Sequence, residues 1–367
     1  MDQQSWLFAP EEIRIKNVDG KTLAARNGDN GTWAINTVAQ RILELLEEPQ
    51  SLTSLCRHLS TEFDISPDDC KSAVTTYLPH ILASGYVEAL DDHDQDAPMR
   101  RRYLDLLKRS LVNLLYPEHE LRLSFLLKGE YSKDPVTRGR ALRDIRNSQA
   151  KEYAKLIHDK HYGYPTIYAH TLVGLRRLNN LEYCARRIFA DKIPGDFFEA
   201  GVCQGGAMIF LRALQVAFNQ EQRLTWGADS FRGLPAPETE QDTGLDFTES
   251  RFPWLAISED TVRQHFQNYD LLSDQVKFVP GWFEDSLTGL QTGALSLLRL
   301  DADLYKSTRE VLHNLYDSVS PGGYIVVDDY GSFKPCRQAI DEFRRERNIT
   351  DPLRWIDWTG VFWRKTI

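Results

Sequence analysis

From about Pro165 to the C-terminus the chain repeats one pattern: a short apolar run that closes on a glycine, an aspartate or a Pro-Gly pair. The runs fall at 196–200, 224–229, 276–279, 295–300, 324–327, 353–356 and 361–364, with helical spacing of apolar residues between the earlier ones. Runs this short, bounded by turn residues, predict strands buried on both faces. Strands alternating with helices predict an α/β class, a doubly wound and mostly parallel sheet. The last two runs are separated only by Asp357-Trp358-Thr359-Gly360. They must therefore form a hairpin, and one of them must run antiparallel.

Ligands of such sheets bind outside the carboxyl ends of the strands, so the closing residues carry the chemistry. The first run ends in Glu199-Ala200-Gly201-Val202-Cys203-Gln204-Gly205-Gly206. Three residues with side chains follow Gly201, so this is not a pyrophosphate-binding G-x-G-x-x-G. The glycines would let the backbone approach the amino-acid end of S-adenosylmethionine, with Glu199 meeting its ammonium. A plain architectural turn is the alternative. Asp229, closing the second run, is placed to accept two hydrogen bonds from a ribose diol, or else to cap a turn. Ser230 and Phe231 follow it, and Gly281 and Trp282 of Pro280-Gly281-Trp282 suit an adenine wall.

Asp301 closes the fourth run, with Asp303 and Tyr305 close behind, and Asp328 and Asp329 close the fifth. Adjacent strands would bring these carboxylates together, where they cannot all stay ionised without a cation. Hard oxygen ligands suit Mg²⁺ or Mn²⁺. Such an ion lowers the pKa of an acceptor hydroxyl and aims its oxygen; caps of helices or turns are the structural alternative. The loop 232–257 is long enough to act as a lid. Tyr162, Tyr164, Tyr168 and His170 are candidates for an acceptor mouth, with His170 the candidate base.

Residues 1–90 read differently. Ile13 to Val18 alternates like an edge strand, and Asp19-Gly20 turns it into Thr22-Leu23-Ala24-Ala25. Trp33-Ala34-Ile35 follows, then three helical stretches at 37–46, 52–63 and 67–84, and a return strand at Tyr86-Val87-Glu88. Hairpin, helices and return strand predict a winged-helix-like α+β domain. Residues 91–98 form an acidic linker, and 99–164 a mostly helical segment, with Leu104, Leu107 and Leu111 at helical spacing.

Residues 1–98 hold seven basic and seventeen acidic residues, which accounts for the net charge of −9. A phosphate-binding surface would need the opposite sign, so no nucleic-acid partner is expected. The mean hydropathy is −0.44, and no apolar run reaches the roughly 18 residues of a membrane span. The five cysteines, Cys56, Cys70, Cys184, Cys203 and Cys336, show no C-x-x-C spacing. Together with an acidic N-terminus lacking a signal-like stretch, they predict a reducing, cytoplasmic setting.

Two resemblances sharpen this. Val18-Asp19-Gly20, Ala34-Ile35-Asn36-Thr37, Phe63-Asp64-Ile65-Ser66-Pro67 and Leu82-Ala83-Ser84-Gly85-Tyr86-Val87 resemble the PqqD-like family. That resemblance implies recognition of a precursor leader peptide, which adds a strand to the hairpin edge; a dimerisation module is the alternative. Residues 165–367 resemble the TylF/MycF-like macrocin O-methyltransferase family. The likeness runs through His170-Thr171-Leu172-Val173-Gly174, Glu199-Ala200-Gly201, Ala228-Asp229-Ser230-Phe231-Arg232-Gly233-Leu234-Pro235, Pro280-Gly281-Trp282-Phe283, Leu298-Arg299-Leu300-Asp301-Ala302-Asp303-Leu304-Tyr305 and Val327-Asp328-Asp329-Tyr330-Gly331. It implies a class I, Rossmann-like methyltransferase that is Mg²⁺-dependent. Asp301, Asp328 and Asp329 would be metal ligands, and Thr171, Glu199, Gly201, Asp229, Ser230, Gly281 and Trp282 would lie at the cofactor. The fusion points to methylation of a hydroxyl or carboxylate on a ribosomally made peptide. A sugar hydroxyl of a glycosylated natural product and a catalytically idle precursor-delivery protein are the alternatives.

Overall fold

Apolar–polar alternation at the N-terminus produces the expected hairpin. In the computed structural model, β2 (Ile13–Val18) pairs antiparallel with β3 (Lys21–Arg26), Ile13 opposite Arg26 and Val18 opposite Lys21. The structure describes residues 6–8, 13–18, 21–26, 33–35, 37–46, 50–83, 88–90, 97–115 and 169–366. They belong to two units, Met1–Arg102 and Tyr103–Ile367.

In the first unit, β4 (Trp33–Ile35) extends the hairpin to three strands. A second three-stranded sheet is built around β1 (Trp6–Phe8), flanked by β5 (Gln50–Ser51) and β6 (Glu88–Leu90). The return strand, expected at Tyr86-Val87-Glu88, is described at Glu88–Leu90, with Tyr86 and Val87 outside the described residues; it pairs with a strand that the sequence did not reveal, because three consecutive apolar residues carry no period. Two sheets stand where one wing was expected. Helices α1 (Thr37–Leu45), α2 (Leu52–Phe63) and α3 (Pro67–Ala83) supply the buried apolar faces, including Ile42, Leu43, Leu52, Leu55, Leu59 and Val74. Ser66 caps α3, accepting the Asp69 N–H at 3.1 Å while its hydroxyl donates to the Asp69 carboxylate at 2.6 Å. Helix α4 (Ala97–Leu111) begins inside the stretch expected as linker. Tyr162, Tyr164, Tyr168 and the expected helices of 118–160 lie outside the described residues.

The second unit alternates as the sequence predicts. Helix α5 (Leu175–Ala190) leads to β7 (Asp196–Ala200), α6 (Gly206–Ala217), β8 (Thr225–Asp229), α7 (Glu259–Asn268), β9 (Val276–Pro280) and α8 (Phe283–Ser286). Then come β10 (Leu295–Leu300), α9 (Tyr305–Leu315), β11 (Val319–Val327), α10 (Lys334–Glu346), β12 (Arg354–Trp355) and β13 (Val361–Arg364). The seven strands lie in the order β12-β13-β11-β10-β7-β8-β9. Strands β11, β10, β7, β8 and β9 are mutually parallel, and β13 runs antiparallel to both β11 and β12. Every residue of β10 is buried, as a central strand covered on both faces requires. Among the described residues, no helix is long and apolar enough to cross a membrane.

Register, more than composition, makes the site. Leu300 lies opposite both Ala200 and Val327, and Ala200 opposite Ala228. The residues that follow each strand therefore emerge on one line. Asp301 donates its N–H to Ala200 O at 2.8 Å, Asp328 to Leu300 O at 2.9 Å and Gly201 to Ala228 O at 2.9 Å.

Gly201 is held at φ +90, and a Cβ there would sit 1.9 Å from the Asp301 carbonyl oxygen. Gly244, at φ +89, has open space around the same position. Gly201→Ala is therefore expected to destabilise the protein by more than the roughly 1 kcal/mol that a left-handed backbone alone costs an alanine. Gly244→Ala should cost about that much and no more. Denaturant unfolding of the two variants checks this; equal midpoints would contradict the close approach of β7 to β10.

Candidate functional site

Arginine is out of place in a strand buried on both faces, and Arg299 of β10 is 2% exposed. It is tolerable there only because carboxylates meet it. Its Nη1 pairs with Glu199 Oε1, and its Nη2 donates to Asp301 Oδ2 at 2.9 Å and Asp328 Oδ1 at 2.8 Å. A second buried arginine, Arg177 of α5, pairs through Nη1 with Asp328 Oδ2. Its Nε and Nη2 donate to the two oxygens of Asp357 at 2.9 and 3.2 Å. Burial alone would lower the pKa of Arg177, but Asp328 and Asp357 outweigh it and raise the value. Asp357 also accepts the N–H groups of Thr359 and Gly360 at 2.9 and 2.7 Å. Thr359 in turn donates its hydroxyl to Asp328 O at 3.0 Å. The terminal hairpin turn is thereby latched to the end of β11.

Both oxygens of Asp328 are thus on guanidinium groups. The acids that face one another are Asp301, Asp303 and Asp329, each bringing one carboxylate oxygen within 4.8 Å of the other two. Asp303, in a left-handed turn at φ 54, joins Asp301 and Asp329 in this group. No residue near Asp328 in the chain marks it as the meeting point of arginines from α5 and β10. Three oxygen donors at this spacing fit a hard divalent cation.

Glu199 is 1% exposed. Burial pushes its carboxyl up to about 7 against the opposing pull of Arg299. Its Oε2 is buried and, among the described residues, has no hydrogen-bond partner. A buried oxygen of this kind costs free energy until a donor reaches it. The ammonium of a cofactor's amino-acid end is a donor that fits such an oxygen.

Asp229 does what a turn-capping aspartate does. Its Oδ2 accepts the N–H groups of Val202 and Cys203 at 2.7 and 3.1 Å, and its Oδ1 that of Phe231 at 2.8 Å. Burial raises its pKa, opposed by these N–H groups. The Ser230 hydroxyl also lies 3.5 Å from Asp229 Oδ1. Ser230 shapes the next turn, donating to Gly233 O at 2.6 Å. Gly281, at φ +130, donates its N–H to Asp229 O at 2.9 Å, and half-buried Trp282 starts α8. Burial lifts the Cys203 thiol to about 12, which leaves no thiolate in the glycine turn.

His170 and Thr171 lie against the N-terminus of α6, where a Cβ on Gly206 would meet His170 O at 2.2 Å and Thr171 Cβ at 2.6 Å. Thr171 is buried. The ring of His170 stacks on His265 at 4.1 Å, and its Nδ1 lies 2.9 Å from Tyr269 Oη. Burial and the neighbouring His265 lower its pKa to about 4. The structure therefore groups His170 with His265 and Tyr269 rather than with the aspartates.

The loop 232–257 is pinned at its middle. Asp242, fully buried, accepts the N–H groups of Tyr305 and Lys306 at 2.7 and 3.2 Å and so caps α9. Lys306 reaches back to Glu238 at 2.6 Å. Beyond this anchor, Phe333, Phe247, Phe252 and Trp254 form a chain of rings with centroids 5.4, 5.4 and 5.1 Å apart. Arg177, Arg299, Asp242 and Asp357 all escaped sequence reasoning. One signal was available: the lone arginine in 295–300 demanded partners.

The comparisons agree with this architecture. The family model described as Macrocin-O-methyltransferase (TylF) matches residues 100–365, and that described as Coenzyme PQQ synthesis protein D (PqqD) matches residues 16–87. The chain is 42% identical over 271 residues to the 8-demethyl-8-(2,3-dimethoxy-alpha-L-rhamnosyl)-tetracenomycin-C 4'-O-methyltransferase of Streptomyces olivaceus, covering 73% of this chain and 94% of that one. It is 36% identical over 269 residues to the mycinamicin III 3''-O-methyltransferase of Micromonospora griseorubida, covering 72% and 96%. The solved structure of the O-methyltransferase NovP is similar at a TM-score of 0.59 and 36% identity, covering 73% of this chain and 100% of that one. The chain belongs to the TylF macrocin O-methyltransferase family: it is an S-adenosylmethionine-dependent O-methyltransferase that carries an N-terminal PqqD domain.

Proposed function

We propose that the chain methylates a hydroxyl of a glycosylated natural product and that its PqqD domain binds a peptide or protein partner. The observation that carries this reading is the 42% identity over nearly the whole of a relative whose name specifies a rhamnosyl-bearing compound and a 4'-oxygen. In the reaction the acceptor oxygen forms a bond to the sulfonium methyl carbon. The carbon–sulfur bond breaks, S-adenosylhomocysteine leaves, and the hydroxyl proton passes to solvent or a base.

In this reading Glu199 takes the cofactor ammonium on Oε2. Asp229 holds the Gly201–Cys203 turn and one ribose hydroxyl, while Gly281 and Trp282 border the adenine. Asp301, Asp303 and Asp329 are the candidate ligands of Mg²⁺ or Mn²⁺, which when bound would lower the pKa of the acceptor hydroxyl and hold its oxygen. His170 and Thr171 brace the glycine turn from the other side.

A second reading makes a ribosomal peptide the acceptor. It is favoured by the PqqD match at 16–87, which lies ahead of the methyltransferase match. A leader would add a strand to the β2–β3–β4 sheet, and the acidic balance of residues 1–98 favours a basic one. Incubating the full chain and S-adenosylmethionine with a rhamnosylated polyketide and with basic-leader peptides, followed by mass spectrometry for an added methyl group, separates the two readings.

Two outcomes follow from the site. The ionised form of Glu199 attracts an ammonium, and its carboxyl titrates at about 7. S-adenosylhomocysteine affinity should therefore rise several-fold between about pH 6 and 7 and flatten above, with up to one proton released on binding wherever affinity rises with pH. Calorimetry in buffers of different ionisation enthalpy measures this, and a pH-independent affinity with no proton release would contradict the assignment. Excess EDTA should stop turnover, with Mg²⁺ restoring the wild type but not Asp301→Asn. Full activity in EDTA would overturn the cation and favour a carboxylate acceptor, which needs no deprotonation.

A further inference from the structure

Strand register alone sets Arg299 among the acids. It lies opposite Glu199 of β7 and opposite Val326 of β11. Side chains two residues apart on a strand share a face, which brings Asp301 and Asp328 to the same side as Arg299. Asp328 already has Arg177 as a partner, so a second guanidinium exceeds what that one carboxylate needs. The remaining hydrogen bonds of Arg299 go to Glu199 on one side and Asp301 on the other.

We propose that Arg299 is a positioning residue that joins the two halves of the crevice, one guanidinium setting both the cofactor-side carboxylate Glu199 and the acceptor-side carboxylate Asp301. The inference rests on the reading that Glu199 meets the cofactor ammonium. With Oε1 fixed on Nη1, only Oε2 is left to face a ligand, and its direction is set before the cofactor arrives. Nη2 holds Asp301 Oδ2 at 2.9 Å in the same way, and so fixes the orientation of that carboxylate beside Asp303 and Asp329. A lysine would keep the charge, but its single nitrogen cannot reproduce the planar fork that spans three carboxylates.

The test is calorimetry of S-adenosylhomocysteine with the full chain, comparing wild type, Arg299→Lys, Glu199→Gln and the double variant. Arg299→Lys and Glu199→Gln should each weaken binding by about tenfold or more, and the double variant should be within about twofold of Glu199→Gln, because the two residues act as one unit. Folded Arg299→Lys with wild-type affinity, or losses that multiply in the double variant, would overturn the proposal. If Arg299→Lys does not fold, the nitrogen-15 guanidinium spectrum answers in its place. The Arg299 signals should shift when S-adenosylhomocysteine is added to wild type, and should differ again in Asp301→Asn. Signals unmoved by either would overturn the proposal. A wild type that binds no S-adenosylhomocysteine would instead remove the cofactor reading on which the proposal rests.

Discussion

Two buried arginines hold the carboxyl edge of this sheet together. Arg299 and Arg177 lie among Glu199, Asp301, Asp328 and Asp357, and neither arginine is more than 2% exposed. Removing one partner of such a pair leaves an uncompensated charge and costs about 3–5 kcal/mol, a large part of the roughly 5–15 kcal/mol that keeps a domain folded. The ends of β7, β10 and β11, helix α5 and the terminal hairpin turn all meet in this network. Beside it, Glu199 Oε2 has no hydrogen-bond partner among the described residues, and Asp301, Asp303 and Asp329 face one another.

The strand ends were legible in the sequence because their signals are local. Apolar runs closing on Gly201, Asp229, Asp301 and Asp328 carry both the period and the turn chemistry, and the parallel sheet with its antiparallel strand β13 follows from them. What could not be read depends on partners distant in the chain. Nothing near Asp328 announces that Arg177 will reach it from α5, or that Asp303 will face Asp301 and Asp329. Asp229 was legible as a ligand or a cap, and the structure shows it accepting three backbone N–H groups. The long loop reads as a lid from its length, but buried Asp242 fastens it to the start of α9. In the first unit, Trp6–Phe8 has no alternation to mark it as a strand, yet two others pair with it.

The two units bring different kinds of recognition to one chain. The larger belongs to the TylF O-methyltransferase family, with relatives whose names specify methylation of a 4'- and a 3''-oxygen. The smaller carries the PqqD match at residues 16–87, and the acidic excess of residues 1–98 is concentrated in the segments that flank that match. The two family matches, at residues 16–87 and 100–365, do not overlap.

The central claim is that Glu199 is divided between Arg299 and the cofactor, one oxygen for each. A crystal structure of the full chain with S-adenosylhomocysteine tests it most directly. The account predicts the ligand's ammonium within hydrogen-bond distance of Glu199 Oε2 while Oε1 stays on Arg299 Nη1. A bound ligand whose ammonium lies elsewhere, with Glu199 Oε2 still unmet, would contradict it.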